Sequence, residues 1–128
     1  MAHLGPVARW EIYWVDLEPP VGSEQGGARR PAIVLSNDGF NGHFGVVTVV
    51  PLTKRTGKRR RVYEFEVLLP AEMLGTGYES IVMPHQVRTI SKLRLLERIG
   101  ILTDEDRQLE IENRLLEHLG IAFEAENL

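Results

Sequence analysis

Glu11–Ser36 reads EIYWVDLEPPVGSEQGGARRPAIVLS and divides into a strand, a polar glycine-rich loop and a second strand. In Glu11–Leu17, Ile12, Trp14 and Asp16 fall on one side of an extended chain and Tyr13, Val15 and Leu17 on the other, a β-branched and aromatic run that predicts a mostly buried strand. Ala32–Ser36 opens on another short apolar run and predicts the second strand. Between them Pro19, Pro20, Gly22, Gly26 and Gly27 break regular structure, while Ser23, Glu24, Gln25, Arg29 and Arg30 carry chemistry. A polar loop carried by two rigid strands is where a small β structure places function.

Downstream, Asn37, Asp38, Gly39, Asn41 and Gly42 signal a turn with one helical turn around Phe40, and Gly45–Leu52 is almost continuously β-branched, predicting a third strand buried on both faces and ending at Thr53. Val62–Leu69 alternates and predicts a fourth strand with one wet and one dry face. Pro70–Leu74 reads as a helical turn, Glu79–Met83 as a fifth strand stopped by Pro84, and Gln86–Ile90 as a sixth. Ser91–Arg98 suggests a short helix closed by Gly100. The last element is the clearest helix: Thr103 caps it, Asp104–Asp106 favour its N-terminus and Gly120 ends it. Leu109, Ile111, Leu115, Leu116 and Leu119 share its broad apolar face, interrupted by Glu112. Residues 1–9 read as a loose lead-in, with Arg9 within reach of a ligand. The class is mainly β with a C-terminal α-helix, in one domain over residues 1–128.

The chain has no cysteine, which removes disulfides and thiolate metal sites and suits a reducing cytoplasm. MAHLGPVARW lacks the basic start and apolar core of a signal peptide, and no apolar run approaches the length that spans a membrane. The net charge of −3 is segregated. Residues 102–128 set eight acids against Arg107 and Arg114, a balance of −6, which leaves +3 on the other 101 residues. Lys54–Arg61, KRTGKRRR, puts six positive charges into eight residues; such a run is either a solvated loop or a phosphate-binding patch that supplies affinity rather than base selectivity.

The opening stretch, together with Val50–Thr53 (VPLT) and Ser80–Arg94 (SIVMPHQVRTISKLR), resembles the signature of the MazF/PemK family, the toxins of bacterial toxin–antitoxin pairs. Three blocks in order are far more specific than one. The resemblance implies a small, strongly bent antiparallel β-barrel of SH3-like character from the MazF/CcdB group. It implies a homodimer with an RNA channel along its interface and a metal-independent, cofactor-free endoribonuclease that cuts single-stranded RNA, mainly mRNA, to a 2′,3′-cyclic phosphate and a 5′-OH. A cognate antitoxin is expected to block the channel with an acidic, initially disordered segment.

Such cleavage needs an aligned 2′-OH, one proton removed, another delivered to the leaving oxygen, and stabilisation of the charge growing on phosphorus. Arg30 matches the family's catalytic arginine, and a guanidinium is better suited to holding that charge than to accepting a proton. Thr53 matches the second catalytic position, where a hydroxyl bonds the scissile phosphate. Glu24 is the candidate to accept a proton or orient the loop, with Ser23, Gln25, Arg29, Lys54, Arg55 and His85 as substrate contacts. Gln86, Arg88 and Thr89 match the RNA-contacting strand, Gln86 having both the donor and the acceptor that reading a base edge requires. Each has a plain alternative: an exposed strand-end arginine, a strand threonine chosen for propensity, a solvated acid, a solvent-facing strand side. Of His3, His43, His85 and His118, only His85 lies near the matched blocks, and no spacing resembles a metal site.

Two departures stand out. Trp10 occupies a place where the family commonly has glycine, and the GSEQ-to-RP loop is one residue longer, which makes Arg29 a rival to Arg30. The competing functions are a CcdB-like gyrase poison, which would call for a Trp-Gly-Ile-like end where this chain reads EAENL, and a non-catalytic RNA-binding barrel.

Overall fold

The computed structural model describes residues 5–56 and 61–122. Glu11–Val15 form β1, and beside it Arg30–Val34 form β2, which begins two residues earlier than its apolar run because Arg30 already pairs with Val15. The helical turn around Phe40 is α1, Asp38–His43, whose first turn is capped by Asn37 accepting the Phe40 N–H at 2.8 Å. β3 spans Val46–Lys54, so Thr53 and Lys54 lie within the strand, opposite Ile81 and Ser80 of β5 (Ser80–Val82).

The expected strand Val62–Leu69 shrinks to β4, Val67–Leu69. Its partner β5 has three residues, bounded by Gly77 at φ 85 and by Pro84, so the ladder runs out at Val67. Instead the Glu66 carboxylate accepts the Tyr63 N–H at 3.1 Å, closing a turn that buries Glu66 and leaves Tyr63 and Phe65 stacked at 5.3 Å, each 42% exposed. The predicted wet and dry faces do not form there. The expected helical turn forms as a 3-10 turn at Ala71–Met73, and another at Pro84–Gln86 delays β6 to Arg88–Ser91, which takes Gln86 out of the strand.

Ser91–Arg98 is not a helix. The Ser91 hydroxyl does cap a turn, accepting the Leu93 N–H at 3.1 Å, but the turn is a single 3-10 segment, Lys92–Arg94, followed by β7, Leu95–Ile101. β7 pairs with the edge of β1 that β2 leaves open. All ladders are antiparallel, in the order β4-β5-β3-β2-β1-β7 with β6 also on β3. Among the described residues no ladder joins β4 to β7, so the bent barrel is open.

β3 bends through a simple device. Leu52 faces Val82 and Val49 faces Arg88, so three steps along β3 correspond to six on its neighbour; the three extra residues bulge out around the Pro84–Gln86 turn. Alternation then sends the two sides of the sheet into two cores. Ile12, Ile33, Val50 and Leu52 enter one, with Leu102 and Ile111; Tyr13, Val15, Ala32, Val34, Val47, Val49 and Ile90 enter the other.

The first core is covered by α2, Glu105–His118. Asp104, not Thr103, is its cap, accepting the Arg107 N–H at 2.9 Å, and Gly120 at φ 71 closes it. Ile111 is buried and Leu115 packs beside it, while Leu109 and Leu119 stay exposed. Glu112 interrupts the apolar face for a reason: it binds Arg9 at 2.8 Å, and Arg9 Nε donates to the Leu35 carbonyl at 2.8 Å. Arg9 is thus a structural anchor, and the lead-in is built into the fold from Val7 onward.

Trp10 adopts φ 74, in the left-handed region that glycine enters without strain. The backbone entry into β1 therefore keeps the shape that a glycine would give it. The indole compensates by packing on the first core with the Arg9 guanidinium 4.8 Å above its ring, and the Trp10 backbone N–H donates to the Val34 carbonyl at 2.7 Å.

Glu11 ties β1 to β7. Burial pushes its carboxyl up, but the Ala8 N–H at 2.5 Å, Arg98 at 2.5 Å and the Tyr13 hydroxyl at 3.0 Å outweigh that and hold it below the usual carboxylate range. A carboxyl depressed in the folded state stabilises fully above its unfolded value, about 4.3, and that contribution disappears as pH falls through the folded value. Glu11→Gln is expected to lower the Tm at neutral pH, with the gap to the parent protein narrowing on acidification below about pH 4. Melting curves at pH 7 and pH 3 check this; an unchanged gap would contradict it.

Candidate active site

Arg30 is the first residue of β2 and is partly buried. Its Nε donates to the Gly26 carbonyl at 2.5 Å and its Nη1 to the Leu52 carbonyl at 3.1 Å. Nη2 has no protein partner among the described residues and remains for a ligand. Burial lowers the guanidinium pKa, while Tyr78 and Glu18 nearby oppose the shift. Arginine starts so far above neutrality that the group remains a cation, stripped of part of its water.

Thr53 lies on the same side of the sheet. Val50 and Leu52 enter the first core, so Thr53 shares its side with Val47 and Val49; Arg30 likewise shares its side with Ala32 and Val34, which line that same second core. The β2–β3 ladder ends with Ala32 opposite Pro51, and the Arg30 Nη1 bond to the Leu52 carbonyl brings the guanidinium to the residue beside Thr53. The Thr53 hydroxyl makes no hydrogen bond among the described residues.

The loop between β1 and β2 folds back against Arg30. Leu17 N–H donates to the Gly27 carbonyl at 2.8 Å, and Gly27 N–H to Glu18 at 3.0 Å. Two glycines are required here. A Cβ on Gly26 would stand 2.6 Å from the Pro20 ring, and one on Gly27, at φ 127, would meet Arg30 Nε at 3.0 Å. Gly26 also accepts from Gln25 Nε2 at 3.2 Å, so its carbonyl carries two donors.

The remaining sequence candidates divide. Arg29 points to the other side of the sheet, over the Trp14 ring at 4.9 Å and against Glu97 at 2.7 Å, which separates it from Arg30. Glu24 is exposed and closes its own turn, accepting the Val21 N–H at 3.3 Å. It lines a cleft of about 290 Å³ with Gln25, His85, Gln86, Val87 and Arg88. Arg88, opposite Val49, shares the Arg30 side; Thr89 bonds the Thr48 hydroxyl at 2.8 Å on the opposite side. Lys54 lies 4.8 Å from the Tyr78 ring and Arg55 binds Glu79 at 3.2 Å. Arg61, at the end of the basic run, lies 5.0 Å from the Tyr63 ring, and residues 57–60 of the run fall outside the described residues. Both ends of the Gln86 amide bond the loop, to the Ser23 carbonyl and the Gln25 N–H.

A larger groove of about 690 Å³ lies on the far side of His85, between Phe65 and the end of α2. There His85 meets Phe65 edge-on at 4.7 Å and His118 at 6.4 Å, a meeting that sequence separation hid. Sequence reasoning also missed Glu18 and Tyr78 beside Arg30. Tyr78 had a signal, since it follows the Gly75–Gly77 turn and leads into the strand that pairs with Thr53.

A family model described as PemK-like, MazF-like toxin of type II toxin-antitoxin system matches residues 8–119. The chain belongs to that family. Among MazF relatives, endoribonuclease MazF9 of Mycobacterium tuberculosis is 43% identical over 97 residues, which are 72% of this chain and 79% of the relative. The crystal structure of MazF from Deinococcus radiodurans superposes with a TM-score of 0.76 at 31% identity, over 91% of this chain and 99% of the other. The MazF of a MazE–MazF complex from Deinococcus radiodurans gives 0.70 at 27% identity, over 92% and 99%. The predicted class, a bent antiparallel sheet with a C-terminal helix, is the MazF architecture.

Proposed function

We propose that this chain is a sequence-selective, metal-independent endoribonuclease toxin that cuts single-stranded RNA, mainly mRNA, in the cytoplasm. The ribose 2′-OH attacks the adjacent phosphorus, its proton is removed, the bond to the 5′-oxygen breaks, and that oxygen is protonated as it leaves. The products are a 2′,3′-cyclic phosphate and a 5′-OH. One observation supports this above the others: a guanidinium held at two atoms with a third nitrogen to spare shares a side with an unbonded hydroxyl.

In this reading Arg30 Nη2 and Thr53 Oγ1 bind the non-bridging phosphate oxygens and stabilise the charge that grows on them. Glu24, Glu18 and Tyr78 are the nearby groups with a lone pair or proton to exchange, and Arg88 and Lys54 flank the path of the strand. The family membership and the endoribonuclease name of a 43% identical relative support the activity. The active form is a homodimer, and a cognate antitoxin with an acidic C-terminal segment covers the site; a solved MazE–MazF complex among the relatives supports the second part.

The test is incubation of purified protein with mixed single-stranded RNA in EDTA, followed by mapping of the ends. Cyclic-phosphate ends at a recurrent short sequence are expected, with none when the nucleotide before the cut is 2′-deoxy. Intact RNA of slowed mobility would mean a binder, and untouched RNA with inhibited DNA supercoiling a gyrase poison.

A further inference from the structure

Gln86 stands on the 3-10 turn that interrupts the strands beside β3, and that turn carries it out of the sheet toward the loop. Its Nε2 donates to the Ser23 carbonyl at 3.3 Å and its Oε1 accepts the Gln25 N–H at 3.2 Å. A side-chain amide has a donor end and an acceptor end, and this one commits one bond from each to a single short piece of backbone, which fixes the plane of the amide. The next residue is Gly26, whose carbonyl takes Arg30 Nε, and Arg30 Nη1 reaches Leu52 beside Thr53. The bonds therefore run without a gap from the turn to the guanidinium.

We propose that Gln86 is a positioning residue: its amide fixes the Ser23–Gln25 backbone, so that the Gly26 carbonyl sets the orientation of the Arg30 guanidinium over the phosphate. This rests on the ribonuclease reading of the site. Glutamine is the residue type the geometry requires. Methionine has the length and neither bond, while an ionised glutamate keeps the acceptor for Gln25 but turns a second acceptor against the Ser23 carbonyl.

The experiment compares the parent protein with Gln86→Met and Gln86→Glu on one RNA oligonucleotide at fixed salt. It reads kcat and KM separately, maps the cut sequences and follows exchange of the Gln25 amide by NMR. Melting curves show that each variant is folded. Gln86→Met is expected to lose about tenfold in kcat, since small misplacements of a catalytic group are costly. Its KM should stay within about twofold, as for an interaction that acts in the transition state. Its cut sequences should not change, and its Gln25 amide should exchange faster.

Gln86→Glu should be impaired at pH 7.5 and recover relative to the parent protein toward pH 4, near the ordinary glutamate value of about 4.3, where the protonated fraction again offers a donor to Ser23. An unchanged kcat in Gln86→Met would overturn the proposal. So would a preserved kcat with new cut sequences, the result expected of a base reader, or a loss in Gln86→Glu that is the same at both pH values. Should the parent protein leave RNA intact, the nuclease reading is what fails. The exchange arm then decides the loop contact alone: protection of the Gln25 amide that Gln86→Met abolishes supports it, and equal exchange in the two proteins overturns it.

Discussion

Replacing Arg30 with alanine is expected to lower kcat/KM about a thousandfold, the upper range for loss of one preorganised charge-stabilising group. The guanidinium is already fastened by Gly26 and Leu52 before substrate arrives, so little reorganisation is needed when charge develops on the phosphate. Arg30→Lys should recover little of the loss. A single ammonium cannot hold two carbonyls and a phosphate in the plane that a guanidinium offers. Arg29→Ala is the control. Its side chain is committed to Trp14 and Glu97 on the other side of the sheet, an exposed ion pair of small energetic worth, and kcat/KM should change by less than about threefold. Equal losses for the two arginines would remove the distinction drawn between them.

The second large effect concerns stability. Ile33 on β2 lies opposite Ile12 on β1 and Val50 on β3, and all three are fully buried in the core that α2 covers. Ile33→Ala removes apolar contact and leaves a cavity between strands that have neighbours on both edges, which limits collapse around it. The expected cost is about 3 to 4 kcal/mol, and for a chain of this size a fall in Tm of roughly 10 °C or more. Urea unfolding with an unchanged slope would attribute the loss to the native core. A cost below about 1 kcal/mol would mean that the strands close over the gap.

Much of this fold could be read from the sequence because its central strands announce themselves locally. β1, β2 and β3 are short β-branched runs bounded by proline, glycine and asparagine, and the last helix has acids at its start and Gly120 at its end. β7 could not be read in this way. Leu93, Leu95, Leu96 and Ile99 are spaced for a helix and Ser91 does cap a turn, yet the open edge of β1 recruits the segment as a strand, a demand made by tertiary structure and invisible in the segment itself. β4 failed in the opposite sense, since its alternating pattern outlasts its three-residue partner.

At the candidate site, Arg30 and Thr53 were singled out through the family pattern, and sheet alternation places them on one side. The departure at Trp10 leaves the entry to β1 intact, because the tryptophan takes up the left-handed backbone itself. Glu18 and the two bonds of Gln86 were not legible. They depend on how a fourteen-residue loop, 16–29, folds on itself and lies back on a turn more than sixty residues beyond Ser23 and Gln25, and no local pattern encodes that.

The claim on which the rest depends is that Arg30 and Thr53 act on one phosphate. The direct measurement is a double-mutant cycle in kcat/KM with Arg30→Ala, Thr53→Val and the double variant on the same RNA. Groups that share a phosphate should be coupled by at least about 1 kcal/mol, so that Thr53→Val costs far less once Arg30 is gone. Losses that simply multiply, to within about 0.3 kcal/mol, would show that the two side chains work independently and would contradict the account.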